Sequence, residues 1–292
     1  MNYVKSDLFK IQLLLQLVIG IFFYFLDLTT EFQTIFAGIL LCIVGIPHGA
    51  NDYLYRKDKS TIGIIKFLSI YLFSMLVYFA IWWFFSLIAL LAFFIISFHH
   101  FGQSNFGNKS FWYLPSLLWG IWILLFPVLL HFDEAFIIFN QMIEGKDFKQ
   151  PLLAMPEIID NWQIMSASVF ALFYIAILFI QEKSNLFVYV VQFFFVSIWI
   201  AITPLLFGFI LIFCLWHSLQ SVQHQVHYYK IAMNGTSLDF FKAIFPFSLM
   251  ALLFFGLYIF FRGFQLSEAF ILLSLITLPH VIVMHRLYGE DN

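Results

Sequence analysis

Charge is scarce in this chain. Only 10% of its 292 residues are Asp, Glu, Lys or Arg, where a soluble domain carries about a quarter. Such a chain cannot cover its own surface in water, so lipid must serve as part of its solvent. Cysteine is scarcer still: Cys42 and Cys214 both lie in apolar runs, read as small packing residues, and exclude a disulfide framework. No basic block occurs and the formal net charge is −2, which gives nucleic acid nothing to hold. A small-residue cleavage site is missing after MNYVKSDLFK, so the first apolar run reads as a membrane span rather than a removed leader.

What the chain has is apolar bulk: 63% hydrophobic residues, 42 of all residues being phenylalanine. A helix needs about 20 apolar residues to cross a bilayer. Charge, Pro and Gly punctuate ten such segments, at approximately 11–27, 32–50, 62–82, 86–101, 113–131, 164–180, 186–202, 204–227, 244–261 and 267–286. The third and fourth divide near Trp82 and Trp83, aromatic rings of the kind that favour an interface. The fold class expected is all-α: one polytopic membrane helix bundle spanning residues 1–292, with about ten transmembrane helices and both termini cytoplasmic. Charge asymmetry supports that topology. It puts Lys5, Lys10, Arg56, Lys57, Lys59, Lys66, Lys109, Lys183, Lys230, Lys242 and Arg286 inside, and only Lys146, Lys149 and Arg262 outside. The expected location is the inner (plasma) membrane of the cell. The long connection from His131 to Gln163 is acidic, carries Pro151 and Pro156, and reads equally as an interfacial cap or a plain loop. Asn234-Gly235 signals a turn, and Thr236 with Asp239 a helix cap.

Four histidines stand out against this background. His48, His100, His217 and His280 sit in the stretches GIPHGAND, SFHHFGQSN, CLWHSLQ and TLPHVIV. Counted inward from the outer end of each span, His48 lies about 24 Å deep, His100 about 21 Å, and His217 and His280 about 20 Å. All four are on helices running in one direction, in the cytoplasmic half of the bilayer. His224 is about 30 Å deep by the same count, His131 is at the outer edge and His285 near the inner end. An ionisable residue inside a span is costly and marks function by default. A lone histidine in a bundle more often satisfies a carbonyl or hydroxyl, but four at one depth favour a metal centre.

Imidazole suits Zn, Cu, Fe and Ni. No cysteine or carboxylate shares the depth, so the first shell would be neutral nitrogen. That favours a low oxidation state and suits ferrous iron, Fe(2+), with positions left open for oxygen. Asp52, one turn after His48, could orient that imidazole or simply face the headgroups. Gly45, Gly49 and Gly102 remove bulk near the centre, and Pro47 and Pro279 loosen the backbone there. Gln103, Ser104 and Asn105 read as solvated residues where the fourth span emerges. His99 points about 100° away from His100, so the two do not share an ion.

PHGAND at 47–52, FHHFGQ at 98–103, WHS at 216–218 and TLPH at 277–280 resemble the Brp/Blh family of membrane proteins, which cleave beta-carotene at its central double bond to give retinal. The resemblance implies a carotenoid-cleaving dioxygenase. It further implies non-haem iron held by histidines, O2 as cosubstrate, a carotenoid tunnel and a functional link to a retinal-binding opsin. It carries His48, His100 and His217 over as ligands. One departure stands out: the family pattern has another histidine one turn after the WH histidine, and Ser221 is here instead. The fourth ligand is then His280, on depth and motif, or alternatively His224. Tyr55, Trp112, Trp119 and Trp216 are the first tunnel candidates. Dense HxxxH or HxxHH sets of a di-iron centre are missing. A haem carrier using two of the four histidines, or a non-enzymatic carotenoid- or retinal-handling protein, stays as the rival.

Overall fold

Backbone polar groups in lipid have no water to bond, so long uncharged runs close their hydrogen bonds internally as helices. The computed structural model describes residues 7–26, 29–56, 58–107, 112–143, 162–263 and 265–290. Among these every element is helical, with no strand. In chain order they are α1 (Asp7–Leu26), α2 (Thr30–Tyr55), α3 (Thr61–Phe84), α4 (Ser86–Phe106), α5 (Leu114–Leu130), α6 (Phe132–Met142), α7 (Trp162–Gln181), α8 (Leu186–Ile202), α9 (Leu205–Ala232), α10 (Ser237–Arg262) and α11 (Leu266–Glu290).

Eight of the described helices are long and apolar enough to cross a membrane, or nine if the bent pair α5 and α6 is one span. The ten expected segments reappear as those eight, the bent pair, and the 20-residue α1. The fifth expected segment, 113–131, is α5 itself, and a bend follows it. Its helix stops at His131, whose backbone is non-helical, and the chain turns by 104° into α6. Pro127 withholds one backbone donor in the last turn, and Asp133 and Glu134 open α6 at its electropositive end. Most of the expected cap falls on residues 144–161, outside the described residues.

The division between α3 and α4 lies at Phe85, two residues past Trp83. Trp83 is exposed as expected of an interface ring. Trp82 instead is buried and donates to Ser274 Oγ at 2.8 Å, so it packs α3 on α11. Thr236 and Asp239 form the expected capping box, and Asn234 takes the left-handed backbone of the turn.

The helices sort into a centre and a rim. In the most apolar stretch of α9, 72% of residues are buried, and 56% in that of α4, against 6% in α3 and 11% in α10. Rim helices expose Ile65, Leu72, Phe73, Leu253, Phe254 and Phe260, which suits lipid contact. The centre is tight because glycine permits it. A Cβ on Gly102 would lie 2.0 Å from the carbonyl oxygen of Ser116, and one on Gly120 would lie 1.8 Å from that of Phe98. α4 and α5 thus touch backbone to backbone on both sides of His100.

Candidate metal centre

α2 is not a uniform helix. Its α-helical part (Thr30–Leu40) passes into a π turn, Leu41–Gly45, three residues before His48. The N–H of Ile46 reaches back five residues to Leu41 O. α9 has a second π segment, Phe213–Ser218, that contains His217 and closes with Leu219 N–H on Cys214 O. A π bulge adds a residue to one turn and so rotates the residues beyond it by about 100°. The two π segments pack against each other at Gly45, where a Cβ would meet Phe213 Cε1 at 3.1 Å and Cys214 Sγ at 3.5 Å. These distortions aim His48 and His217 at each other.

His100 comes from α4 and His280 from α11. The four rings form a closed circuit. Centroids are 5.2 Å apart for His48–His217, 4.6 Å for His217–His100, 4.9 Å for His100–His280 and 5.1 Å for His280–His48. Neighbouring planes are inclined by 75–90°. Ligand nitrogens of His48, His100 and His217 lie within 4.8 Å of one another, close enough to share an ion. His280 joins by ring distance rather than by that nitrogen criterion. For ligation the nitrogens decide, so three form the tight set and His280 sits at its edge. Gaps of 4.6–5.2 Å leave no room for a porphyrin among the rings.

Hydrogen bonds fix the tautomers. His48 Nδ1–H donates to the carbonyl of Gly45. His280 Nδ1–H donates to Asp52 Oδ1 at 2.8 Å, and Tyr71 Oη–H donates to Asp52 Oδ2 at 3.0 Å. Ser104 spends its hydroxyl proton on Phe101 O at 2.9 Å, so it accepts from His217 Nδ1–H at 3.1 Å. Each of these three imidazoles therefore keeps a lone pair on Nε2. His280 Nε2 and both nitrogens of His100 are buried with no hydrogen-bond partner. An unpaired buried polar atom costs roughly 1–3 kcal/mol, and a metal ion would satisfy His280 Nε2 and one of the two nitrogens of His100. The donor set fits the ion: neutral nitrogens in an apolar cup, with Phe101 stacked on His217 at 4.1 Å and Phe213 against His48 at 5.4 Å.

Three expectations change. Asp52 orients an imidazole, but that of His280 rather than His48. The 3₁₀ turn Asp52–Tyr55 swings the carboxylate away from its own helix and toward α11. A carboxylate thus stands one hydrogen bond from the centre, although none shares its depth in sequence. Gln103, Ser104 and Asn105 are buried, not solvated, because α4 runs on to Phe106 inside the bundle. Asn105 exchanges hydrogen bonds with Gln192 and accepts from Gln220 Nε2, while Gln225 binds both Asn51 and the carbonyl of His48. The tunnel candidates are scattered. Trp119 and Trp216 are fully buried, the latter donating to Gln16; Trp112 is 82% exposed; Tyr55 borders a separate cavity that Arg56, Lys66 and Arg286 also line.

His224 falls outside the grouped nitrogens. It lies seven residues beyond His217, about 10 Å along the axis, beside Gly107 at the end of α4. Ser221 is buried with its hydroxyl unpartnered. His99 meets His285 Nδ1 at 3.2 Å instead of joining His100, and Gln103 meets the same nitrogen at 3.1 Å. His131 bonds Ile200 O at 3.2 Å and is not among the clustered rings. Sequence reasoning missed Ser104 as a partner of His217, although its i+4 spacing from His100 was available; Tyr71 carried no signal.

No curated protein and no solved structure matches the chain significantly. The family model described as beta-carotene 15,15'-dioxygenase matches residues 39–288, a stretch that holds all four clustered histidines and Asp52, and the chain belongs to that family.

Proposed function

We propose that this protein cleaves the central double bond of beta-carotene with O2 to give two molecules of retinal, each carbon of the broken bond ending as an aldehyde. The supporting observation is the convergence of four buried imidazoles from four helices, with orphaned ring nitrogens among them. His48, His100 and His217 would hold Fe(2+), with His280 as fourth ligand. When bound, the iron supplies activation of O2. The chain's part is to hold the imidazoles in one tautomer, through Gly45, Ser104 and Asp52, and to position one double bond of a rigid polyene.

An apolar cleft supports the substrate reading. Phe93, Phe94, Leu124, Phe139, Phe209 and Phe270 are among its lining, and its volume is about 60 Å³. From it an aromatic path runs Phe270–Phe209–Phe213–His217, with ring separations of 6.0, 6.3 and 5.5 Å. A cleft of that size is well below the 300 Å³ and more of usual ligand pockets, so α4, α6, α9 and α11 would part to admit a carotenoid from the bilayer. The protein would be a multi-pass component of the inner (plasma) membrane, crossing ten times with both termini cytoplasmic. A retinal-binding opsin would be the natural recipient of its product.

Expression in bacteria that accumulate beta-carotene tests the reading. Bleached cells with retinal in the extract are expected. Retained carotenoid without retinal, with the protein present in the membrane, would sink it.

A further inference from the structure

A second cavity, of about 310 Å³, lies at the end of the bundle where α2, α9 and α11 finish and α3 begins. Three cations line it: Arg56, Lys66 and Arg286. Arg56 gives one guanidinium nitrogen to Tyr53 O at 2.6 Å and keeps a buried Nε with no partner. Lys66 and Arg286 form no ion pair among the described residues. The single acid in the wall, Asp58, is engaged by the N–H of Ser60 at 2.9 Å. The cavity thus carries an excess of two positive charges in a chain that is short of charge everywhere.

The rest of the wall is apolar apart from the tyrosines Tyr55 and Tyr228. Phe67, Ile70 and Val283 continue from the cations up α3 and α11, and Leu287 lies beside Arg286. Lys66 and Arg286 are exposed, and Ile62 and Ile65 beside them face outward at 77% and 60% exposure. Cationic heads below, an apolar channel above and an open side match an amphiphile with a negative head. A soluble anion would gain nothing from the channel.

We propose that this cavity binds the phosphate headgroup of an anionic phospholipid, its acyl chain lying against Phe67, Ile70 and Val283. Basic pockets between membrane helices bind such headgroups, each cation near the surface contributing about 1 kcal/mol. The site is also placed to act on the metal centre. Tyr71 follows Ile70, packs on Phe67 at 5.7 Å, and donates to the carboxylate that holds His280. The proposal rests on the bundle lying in a bilayer, not on the dioxygenase reading, and its test uses no carotenoid.

The full-length protein, reconstituted in nanodiscs holding equal phosphatidylglycerol and phosphatidylcholine, would be released and its retained lipid counted by native mass spectrometry. Selective retention of phosphatidylglycerol is expected. One cation near a membrane surface contributes roughly fivefold, so Lys66→Gln with Arg286→Gln should weaken retention about thirtyfold. Lys66→Arg with Arg286→Lys should keep it, which separates loss of charge from misfolding. Equal retention of both lipids by the wild type, or unchanged selectivity in the double Gln variant, overturns the proposal. Displacement of the lipid by millimolar glycerol phosphate would overturn the lipid in favour of a soluble phosphate ligand.

Discussion

Asp52 shows how much of the centre is decided outside the ring of imidazoles. Its carboxylate receives His280 Nδ1–H on one oxygen and Tyr71 Oη–H on the other. Partners of this kind fix ring orientation and raise ligand basicity, and their loss typically costs 10–100-fold in metal affinity or activity. Asp52→Asn keeps an acceptor and removes the charge, so chelator competition should show about tenfold weaker iron binding; Asp52→Ala should approach a hundredfold. Tyr71→Phe removes one hydrogen bond to a charged group, an effect of about tenfold or somewhat more. Unaltered affinity in both Asp52 variants would remove the residue from the centre. The ligand set is tested the same way: alanine at His48, His100 or His217 should abolish bound iron, measured by elemental analysis, together with retinal formation. His280→Ala should lose most of both, while His224→Ala, changed about 10 Å from the cluster, should lose neither. Iron kept in His280→Ala but lost in His224→Ala would reverse the choice of fourth ligand. His280 was legible in sequence because depth along a helix is a linear count. Its bond to Asp52 was not, because a 3₁₀ turn redirects that side chain.

At the scale of the helix, the two π turns do the aiming. Nothing in LCIVG or FCLWHS declares a π turn, since its cause is tertiary: Gly45 lets α2 and α9 approach until Phe213 and Cys214 meet its backbone. The sequence showed Gly45 removing bulk and Pro47 loosening the chain nearby, but not the turn they permit. Deleting Ile43, whose side chain is 67% exposed, should convert the turn to regular α-helix and rotate His48 by about 100° relative to the residues before it. The expected protein inserts and is recovered at normal yield but holds no iron; normal iron content after the deletion would deny the π turn its role. The glycine contact between α4 and α5 makes the complementary case. Gly120→Ala would drive a methyl group into Phe98 O, 1.8 Å away, and overpacking of this kind costs about 1–3 kcal/mol. Because Phe98 lies two residues before His100, the thermal midpoint and iron content should fall together. The motif FHHFGQ advertised His100, yet not that Gly102 is what admits α5 beside it.

Over the whole molecule, hydropathy and charge located the eight described helices that are long and apolar enough to cross a membrane, because lipid demands uninterrupted helical hydrogen bonding and leaves little freedom in where helices lie. What they could not give is a bend, since α5 and α6 look like one segment and a tail until the 104° turn at His131 is seen. Nor could they give a buried polar layer, since Asn105 looks solvated until Gln192 and Gln220 are seen beside it. The topology still makes a parity argument. α2, α4, α9 and α11 must run in one direction for their histidines to share a depth, and the ends of α2, α9 and α11 meet the start of α3 around Arg56, Lys66 and Arg286. If α1 and the α5–α6 pair each cross once, the crossings number ten and the two ends of the chain face the same compartment. Retention of positive loops then makes that compartment the cytoplasm. A fluorescent protein that matures only in the cytoplasm should glow when fused to either end, and alkaline phosphatase, active only outside, should stay silent at both. Placed in the α10–α11 connection beside Arg262, phosphatase should be active. Signals of opposite kind from the two ends would mean an odd number of crossings. α1 or the bent pair would then lie along the membrane surface rather than through it.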